Sequence, residues 1–413
     1  MLPAVRCGTF WKKRASEARE DLMSNLRLGI IGFGNMGSAH AAAIHGGQVE
    51  GMELSAVCDT AEVRLDICRQ HYPDVRTLSD PSQLLESPDI DCVLIATPHR
   101  FHASLALEAL RHHKHVLSEK PMDVRLSEAK KTAAAAKQSH LVYGIMFNQR
   151  TSPIFQRARE IVQKGELGTL KRSVWLITNW YRTQHYYDSG DWRATWGGEG
   201  GGVLLNQAPH NLDLWQWICG MPSHVRAFCD IARYHRIEVE DDATILTRYP
   251  SGATGMFVTS TGEYPGTNRL EISGTLGKIV LENGKLRHWK LLKPEEQVRY
   301  TSDESMARIP CDYSEQYFEE PESGHLQILR NFTAAILRGE PLLAPGVEGV
   351  QELTISNAAY LSAWTGNAEI SLPMDTAKFD ALLSEKIQNS NFRPSTSHSR
   401  LSQEYSERWQ VNW

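Results

Sequence analysis

No Cys-x-x-Cys pair occurs in the 413 residues, and the seven cysteines (Cys7, Cys58, Cys68, Cys92, Cys219, Cys229 and Cys311) are scattered and odd in number. That excludes a zinc knuckle and a disulfide scaffold, whose residues come in such pairs or in even sets. Free, mostly buried thiols in a reducing compartment, the cytoplasm, are expected instead. No stretch reaches the roughly 20 apolar residues of a membrane span. No Lys- or Arg-rich block is present either, and 44 basic against 49 acidic side chains leave a formal charge of -5. A general nucleic-acid binder carries a basic footprint that this chain does not have. The length exceeds one ordinary domain, so two or three are expected. One residue type is plentiful: of 11 Trp, six (Trp175, Trp180, Trp192, Trp196, Trp215 and Trp217) crowd between residues 175 and 217.

The ends carry little pattern. Residues 1–23 lack an apolar core followed by a small-residue cleavage site, so they make a poor signal peptide. They are expected to be an extension, with Met23, directly before SNLRLGIIG, as an alternative true start. Residues 383–413 are expected to be a tail, polar and poorly periodic over 389–407.

The first half alternates strand and helix. Leu28-Gly29-Ile30-Ile31 is a buried-strand pattern, and Glu53–Cys58, 91–97, 115–118 and 141–146 continue it. Helical patterns at 101–111 and 126–138 separate them, which predicts a parallel sheet with right-handed crossovers. Gly32-Phe33-Gly34-Asn35-Met36-Gly37 follows the first strand and opens a helix, the context a dinucleotide-binding GxGxxG needs. Gly32 permits the tight turn, Gly34 lets backbone approach a pyrophosphate, and Gly37 permits close helix packing. Asp59, roughly twenty residues on, is placed to accept hydrogen bonds from a ribose. It would repel a 2′-phosphate, and Thr60-Ala61 offers no Arg to hold one, so NAD is expected over NADP. A helix cap is the plainer alternative for Asp59.

Thr97 and Pro98 end the 91–97 strand, at the sheet edge where open parallel sheets bind ligands. His99 and His102, with His112, His113 and His115, lack the acidic or thiolate partners of a catalytic metal site, and no metal is expected. Lys120, in Glu119-Lys120-Pro121, follows another strand's carboxyl edge. An ammonium there can hold an alcohol oxygen and stabilise developing alkoxide charge. The alternative is a solvated surface lysine.

The second half reads differently. β-rich segments at 170–180, 224–233, 241–249, 253–260, 269–273 and 277–281 are joined by turns such as Pro250-Ser251-Gly252 and Glu282-Asn283-Gly284. This is hairpin patterning. Helices are expected at 322–338 and 350–364, one of them packing back on the first domain. The run GGGVLLNQAPHNLDLWQWICG, residues 200–220, enters a helix at Pro209-His210.

These motifs, in this order and spacing, resemble the glucose-fructose oxidoreductase, inositol dehydrogenase and rhizopine-catabolism (Gfo/Idh/MocA) family over roughly residues 26–380. The resemblance implies an α/β protein: an N-terminal Rossmann NAD-binding domain (24–147) and a C-terminal α/β domain (148–382) with a large open, mainly antiparallel sheet. It implies oxidation or reduction of a hydroxyl or keto group on a sugar, glycoside or cyclitol, with Lys120 and His210 catalytic. Thr97, Pro98, His102, Glu119 and Lys120 then join Gly32–Gly37 and Asp59 on the cofactor. A homodimer or homotetramer through the second sheet is also implied.

His210 has the pKa range to take a proton from an alcohol. Asn206 stands where the family commonly has Asp; an amide cannot accept the proton, so Asn206 is read as orienting a substrate hydroxyl. Weakened redox activity is the alternative reading of that change. Asp213, three residues past His210, either supports it or forms a salt bridge elsewhere. Flat aromatic rings can cover a sugar or cyclitol ring, and Trp192 and Arg193, in a Gly-bounded loop with Asp191, are the substrate-wall candidates. Three rival functions stay open: a glycosidase using a transient NAD redox step, a non-enzymatic NAD-binding sensor or assembly protein, and a structural protein without cofactor.

Overall fold

The computed structural model describes residues 25–190, 192–319 and 322–391. The expected extension with Cys7 and Met23, Asp191, and the tail beyond residue 391 lie outside the described residues. Six strands form the first sheet: β1 (Leu26–Ile31), β2 (Met52–Cys58), β3 (Arg76–Leu78), β4 (Cys92–Ile95), β5 (His115–Ser118) and β6 (Tyr143–Ile145). They run parallel in the order β3-β2-β1-β4-β5-β6. Parallel strands covered on both faces need apolar residues on both. The unbroken Cys92-Val93-Leu94-Ile95 run is accordingly buried throughout. Helices α1 (Asn35–His45), α2 (Glu62–His71), α3 (His102–Arg111) and α4 (Leu126–Ser139) make the crossovers. The strand expected at 141–146 narrows to three residues, and its outer edge is closed by Pro345 opposite Gly144 and by Ile145 N–H donating to Ala344 O at 3.0 Å. Covering an edge in this way removes a template for strand pairing.

The order reverses between β1 and β4. In open parallel sheets that reversal opens a crevice at the strands' carboxyl ends.

The second sheet has nine strands: β7 (Leu170–Ile177), β8 (His224–Ile231), β9 (Glu240–Arg248), β10 (Thr254–Ser260), β11 (Asn268–Gly274), β12 (Gly277–Glu282), β13 (Lys285–Leu291), β14 (Cys311–Tyr317) and β15 (Ile370–Ser371). Their order is β14-β13-β12-β11-β7-β10-β9-β8-β15. All neighbours are antiparallel except β7 and β10. The β12–β13 hairpin turns on Asn283 (φ 52) and Gly284 (φ 72), the two positive-φ positions that a tight two-residue hairpin demands. Trp175, Ile177, Ile245, Phe257, Leu270 and Ile272 alternate onto the inner face and are buried.

That inner face is covered by α5 (Pro209–Cys219) and by α7 (Gly349–Trp364). Trp215 of α5 donates its indole N–H to Ser173 Oγ at 2.9 Å, and Ala227 N–H donates to Ser362 Oγ of α7 at 2.9 Å. Helix α6 (Gly324–Arg338) lies between β14 and α7 in the chain. Both α6 and α7 reach back to the first domain: Arg330 Nε donates to Gln48 O at 3.0 Å, and Leu126 N–H donates to Asn357 Oδ1 at 3.0 Å. Helix α8 (Thr376–Gln388) buries Phe379 and Leu383, so residues 383–388 of the expected tail continue a packed helix. Among the described residues, no helix is long and apolar enough to cross a membrane.

Candidate active site

A cavity of about 1170 Å³ opens where the carboxyl ends of β1, β2, β4 and β5 face α5 and the 180–193 segment. The glycine-rich turn forms one end. Gly32 has φ +95, and a Cβ there would meet Ala96 O at 2.6 Å. A Cβ on Gly37 would lie 1.9 Å from Gly32 O, so α1 can seat against the turn only if this residue is glycine. At Gly34 the same test finds nothing within 4 Å, which leaves open room beside the backbone. No side chain caps α1, and no acidic residue stands in its first turn. Its orphan N–H groups and positive dipole end therefore face the cavity unneutralised, as an anion requires.

Asp59 follows β2 and lines the same end. Its Oδ2 accepts from Phe33 N–H at 2.7 Å and its Oδ1 from Ala61 N–H at 2.8 Å. The carboxylate thus clamps the glycine turn to the start of α2 while its remaining lone pairs stay available. Phe33 itself is buried and turns its ring edge-on to Tyr72, so neither it nor Gly37 lines the cavity. Arg64, one turn into α2, also lines this end; burial lowers its pKa while Asp59 opposes that. The local reading of Thr60-Ala61 did not reach as far as this arginine.

Thr97 and Pro98 line the cavity beyond β4, and Thr97 Oγ1 is buried without a hydrogen-bond partner. His102 sits with Nδ1 2.7 Å from Pro121 O and Nε2 2.7 Å from Thr97 O. It braces the Thr97 turn against the Lys120–Pro121 turn, where the peptide bond is cis. Glu119 is buried, its Oε1 2.8 Å from His40 Nε2. Burial pushes its carboxyl up, but the hydrogen bond and charge of His40, aided by His325 and Lys120, bring it to about 2. The uncapped helix end, the space at Gly34, the Asp59 carboxylate and the orphan Thr97 hydroxyl together fit a dinucleotide.

Lys120 and His210 come from different domains and line this one cavity. Lys120 Nζ donates to the main-chain oxygen of Asn206 at 2.8 Å, leaving two of its three N–H groups for another acceptor. Burial lowers its pKa, with Glu119, Glu199 and Glu352 pulling the other way. His210 is in the first turn of α5, against the edge of Phe147, and among the described residues its Nδ1 has no hydrogen-bond partner. Burial, Lys120 and His325 hold its pKa well below 6.5. Asp213 does not support it. Both carboxylate oxygens take Arg150, Nε to Oδ2 at 2.7 Å and Nη2 to Oδ1 at 2.6 Å, with both side chains buried. Breaking such a buried pair costs about 3–5 kcal/mol, so Asp213 stays with the arginine.

On the opposite wall Arg193 lies over the rings of Trp192 and Tyr186, 4.5 and 4.6 Å from their centroids, and donates to Tyr186 Oη at 2.9 Å. Asn206 lines the cavity too, but its Nδ2 already donates to Tyr186 Oη at 3.1 Å and to Glu199 Oε1. A role in orienting a substrate hydroxyl therefore falls to its remaining carbonyl, not to a free amide.

The tryptophan crowding divides. Among the described residues, Trp180 and Trp192 are the two of the six that line the cavity. Trp175 and Trp215 are core against the sheet, Trp196 meets Tyr360 and Trp364 edge-on, and Trp217 lies between Arg150 and Arg159. Sequence reasoning missed His325, on α6, whose pKa burial lowers to about 4. It also missed Glu199.

Comparison with known proteins agrees with this layout. Residues 26–147 match the profile described as an oxidoreductase family with an NAD-binding Rossmann fold, and residues 155–280 match the GFO/IDH/MocA C-terminal domain. The chain is 26% identical over 343 residues to the myo-inositol 2-dehydrogenase of Thermotoga maritima, covering 82% of this chain and 96% of that one. It is 27% identical to the levoglucosan dehydrogenase of Pseudarthrobacter phenanthrenivorans, covering 69% and 79%. The crystal structure of the WlbA dehydrogenase from Bordetella pertussis, in complex with NADH and UDP-GlcNAcA, superposes with a TM-score of 0.72 at 26% identity, over 85% of this chain and 99% of that one.

Proposed function

The chain belongs to the GFO/IDH/MocA family of NAD-binding oxidoreductases, and from that premise we propose that it oxidises or reduces a secondary hydroxyl or keto group on a sugar, glycoside or cyclitol. One observation carries the reading: Lys120 and His210 meet across a cavity that also receives the uncapped end of α1. Bound NAD supplies a ring that takes or returns a hydride. The N–H groups at the start of α1, with Gly34 beside them, would hold its pyrophosphate, Asp59 the adenosine ribose, and Thr97 and Pro98 the nicotinamide side.

The protein's own residues do the rest. Lys120 holds the reacting oxygen through its two uncommitted N–H groups and stabilises negative charge there. His210, neutral through its depressed pKa, removes the hydroxyl proton in oxidation and returns it in reduction. Trp192 and Tyr186, with Arg193 lying over both rings, form the wall that a substrate ring would meet, and the guanidinium serves its hydroxyls or an acidic substituent. The relatives named for inositol and levoglucosan, and the dehydrogenase structure in complex with UDP-GlcNAcA, support a ring polyol. An absorbance screen for reduced nicotinamide across inositols, aldoses, glycosides and sugar acids tests the reading. A turned-over ring polyol is expected; NADH binding with no turnover on any of them would overturn it.

Asp59→Ala is expected to weaken NAD by about 10–100-fold, the worth of a charged hydrogen bond of ~1.5–3 kcal/mol. Because Asp59 also holds the Phe33 amide, the informative quantity is the NADP-to-NAD affinity ratio. That ratio should rise; an unchanged ratio in equilibrium titrations would refute the ribose role.

A reducing compartment, the cytoplasm, suits the free thiols of Cys58, Cys68 and Cys92, all buried. A second copy of the chain is the partner assigned to the outer face of the second sheet. Phe228 (43% exposed) and Leu246 (40% exposed) stand there beside Met256, an apolar patch that water disfavours. Light scattering should give at least twice the monomer mass, and Leu246→Lys should lower it; a monomeric wild type would refute the assignment.

A further inference from the structure

We propose that Glu199 is a positioning residue that places, from the loop before α5, a buried negative charge against the side chain of Asn206. The inference rests on the reading of Lys120 as the group that holds the reacting oxygen. Glu199 sits inside the run Gly197-Gly198-Glu199-Gly200-Gly201-Gly202 and is only 2% exposed. A carboxylate so placed must be fully partnered. Its Oε2 accepts from Ala194 N–H at 2.6 Å, and its Oε1 accepts from Asn206 Nδ2.

Each bond reaches the active site through one further step. Asn206 is the residue whose main-chain oxygen receives Lys120 Nζ. Anchoring the Asn206 side chain fixes that oxygen and with it the ammonium. Ala194 has φ 52, a left-handed conformation that a non-glycine residue holds only when its surroundings enforce it. The bond to Glu199 enforces it, and Ala194 follows Arg193, the guanidinium of the opposite wall. One buried carboxylate therefore sets two of the cavity's cationic side chains, Lys120 and Arg193.

Both oxygens of Glu199 face N–H donors, the arrangement of an ionised carboxylate and not of an acid, which needs an acceptor for its own proton. Burial pushes its pKa up, while Arg193, Ala194 N–H, Lys120 and Asn206 pull it back. Around Lys120 the other charged or titratable groups are Glu119, Glu352, Arg193, His99, His102, His210 and His325. An Asp at 206 beside Glu199 would put two carboxylates in contact, so the amide at 206 and the carboxylate at 199 form a matched pair.

The test moves the charge between the two positions in the full-length protein. Wild type, Glu199→Gln, Asn206→Asp and the double variant Glu199→Gln/Asn206→Asp are compared by two readouts. The first is the pH dependence of Lys120 acetylation by acetic anhydride, followed by mass spectrometry, which needs no turnover. The second is the pH profile of kcat. In Glu199→Gln, Lys120 should become reactive at lower pH than in wild type, and kcat should fall about tenfold or more through lost alignment. Its NADH affinity should stay close to wild type, whereas Tm should fall, because the Gln amide NH2 now faces one of the two N–H donors. Asn206→Asp alone should also lower kcat. The double variant should return the acetylation profile towards wild type and recover most of the activity.

An acetylation profile unchanged by Glu199→Gln, or a double variant worse than either single one, would overturn the inference. A wild type that turns over no polyol, with the acetylation shift present, would instead fail the reading of Lys120 and leave the charge assignment of Glu199 standing.

Discussion

Lys120→Ala is expected to lower kcat by roughly 10²–10³-fold, the cost of removing one donor aimed at developing oxyanion charge. NADH affinity should fall far less than kcat, because most of the residues assigned to the dinucleotide lie on the glycine turn, at Asp59 and at Thr97–Pro98, and Lys120 is one contact among them. Two features set the size of the effect. The ammonium is partly buried in the cavity wall, where an electrostatic contact is stronger than in water. It is also held, by the Asn206 main-chain oxygen at 2.8 Å, so little reorganisation is needed at the moment of reaction. Burial lowers the Lys120 pKa, and Glu119, Glu199 and Glu352 oppose that fall. Since the protonated form is the one that works, activity should be lost as pH rises through that lowered pKa. A variant with wild-type kcat would remove Lys120 from the mechanism; stopped-flow turnover together with fluorescence titration of NADH separates the two quantities.

His210→Asn should lower kcat by about 10²–10⁴-fold, the usual contribution of a placed general base. The sign of its pH dependence follows from the depressed pKa. Oxidation needs the neutral ring, and burial, Lys120 and His325 keep it neutral to well below 6.5. Wild-type oxidation should therefore persist into mildly acidic solution and fail only as pH drops through the depressed value. In His210→Asn that acid limb should disappear while the alkaline limb assigned to Lys120 remains. Reduction needs the protonated ring and should gain as pH falls. An acid limb that survives the substitution would assign the base to another histidine of the cavity, such as His325.

What could be read from the chain alone is what depends on neighbouring residues. The strand at 115–118 and the helix over 126–138 follow from unbroken or periodic apolar runs, and the structure places them at His115–Ser118 and Leu126–Ser139. Gly32–Gly37 and Asp59 were legible because turn, helix start and acid follow one another at short range. The tryptophans were not. Whether Trp192 meets a ligand or Trp215 meets a sheet is decided by Ser173, Phe257 and Tyr186, which no local window contains. The Arg150–Asp213 pair spans 63 positions, so the choice between supporting His210 and pairing elsewhere could not be made locally.

Glu199 left a fainter trace. It is a lone carboxylate within a glycine run, seven positions before Asn206. Only the folded chain brings the two side chains together, through the Asn206–Glu199 hydrogen bond. His325 left none, because only the return of α6 to the first domain brings it beside His40 and Lys120.

In the proposed function Lys120 and His210 complete a net NAD-linked oxidation of a ring alcohol. The most direct measurement incubates the protein with NAD and the best polyol of the screen, then quantifies NADH and ketone in the same sample. One NADH per ketone, lost together in Lys120→Ala and His210→Asn, is the predicted result. Cleavage of a glycoside without net NADH, or ketone and NADH formed equally well by both variants, would contradict it.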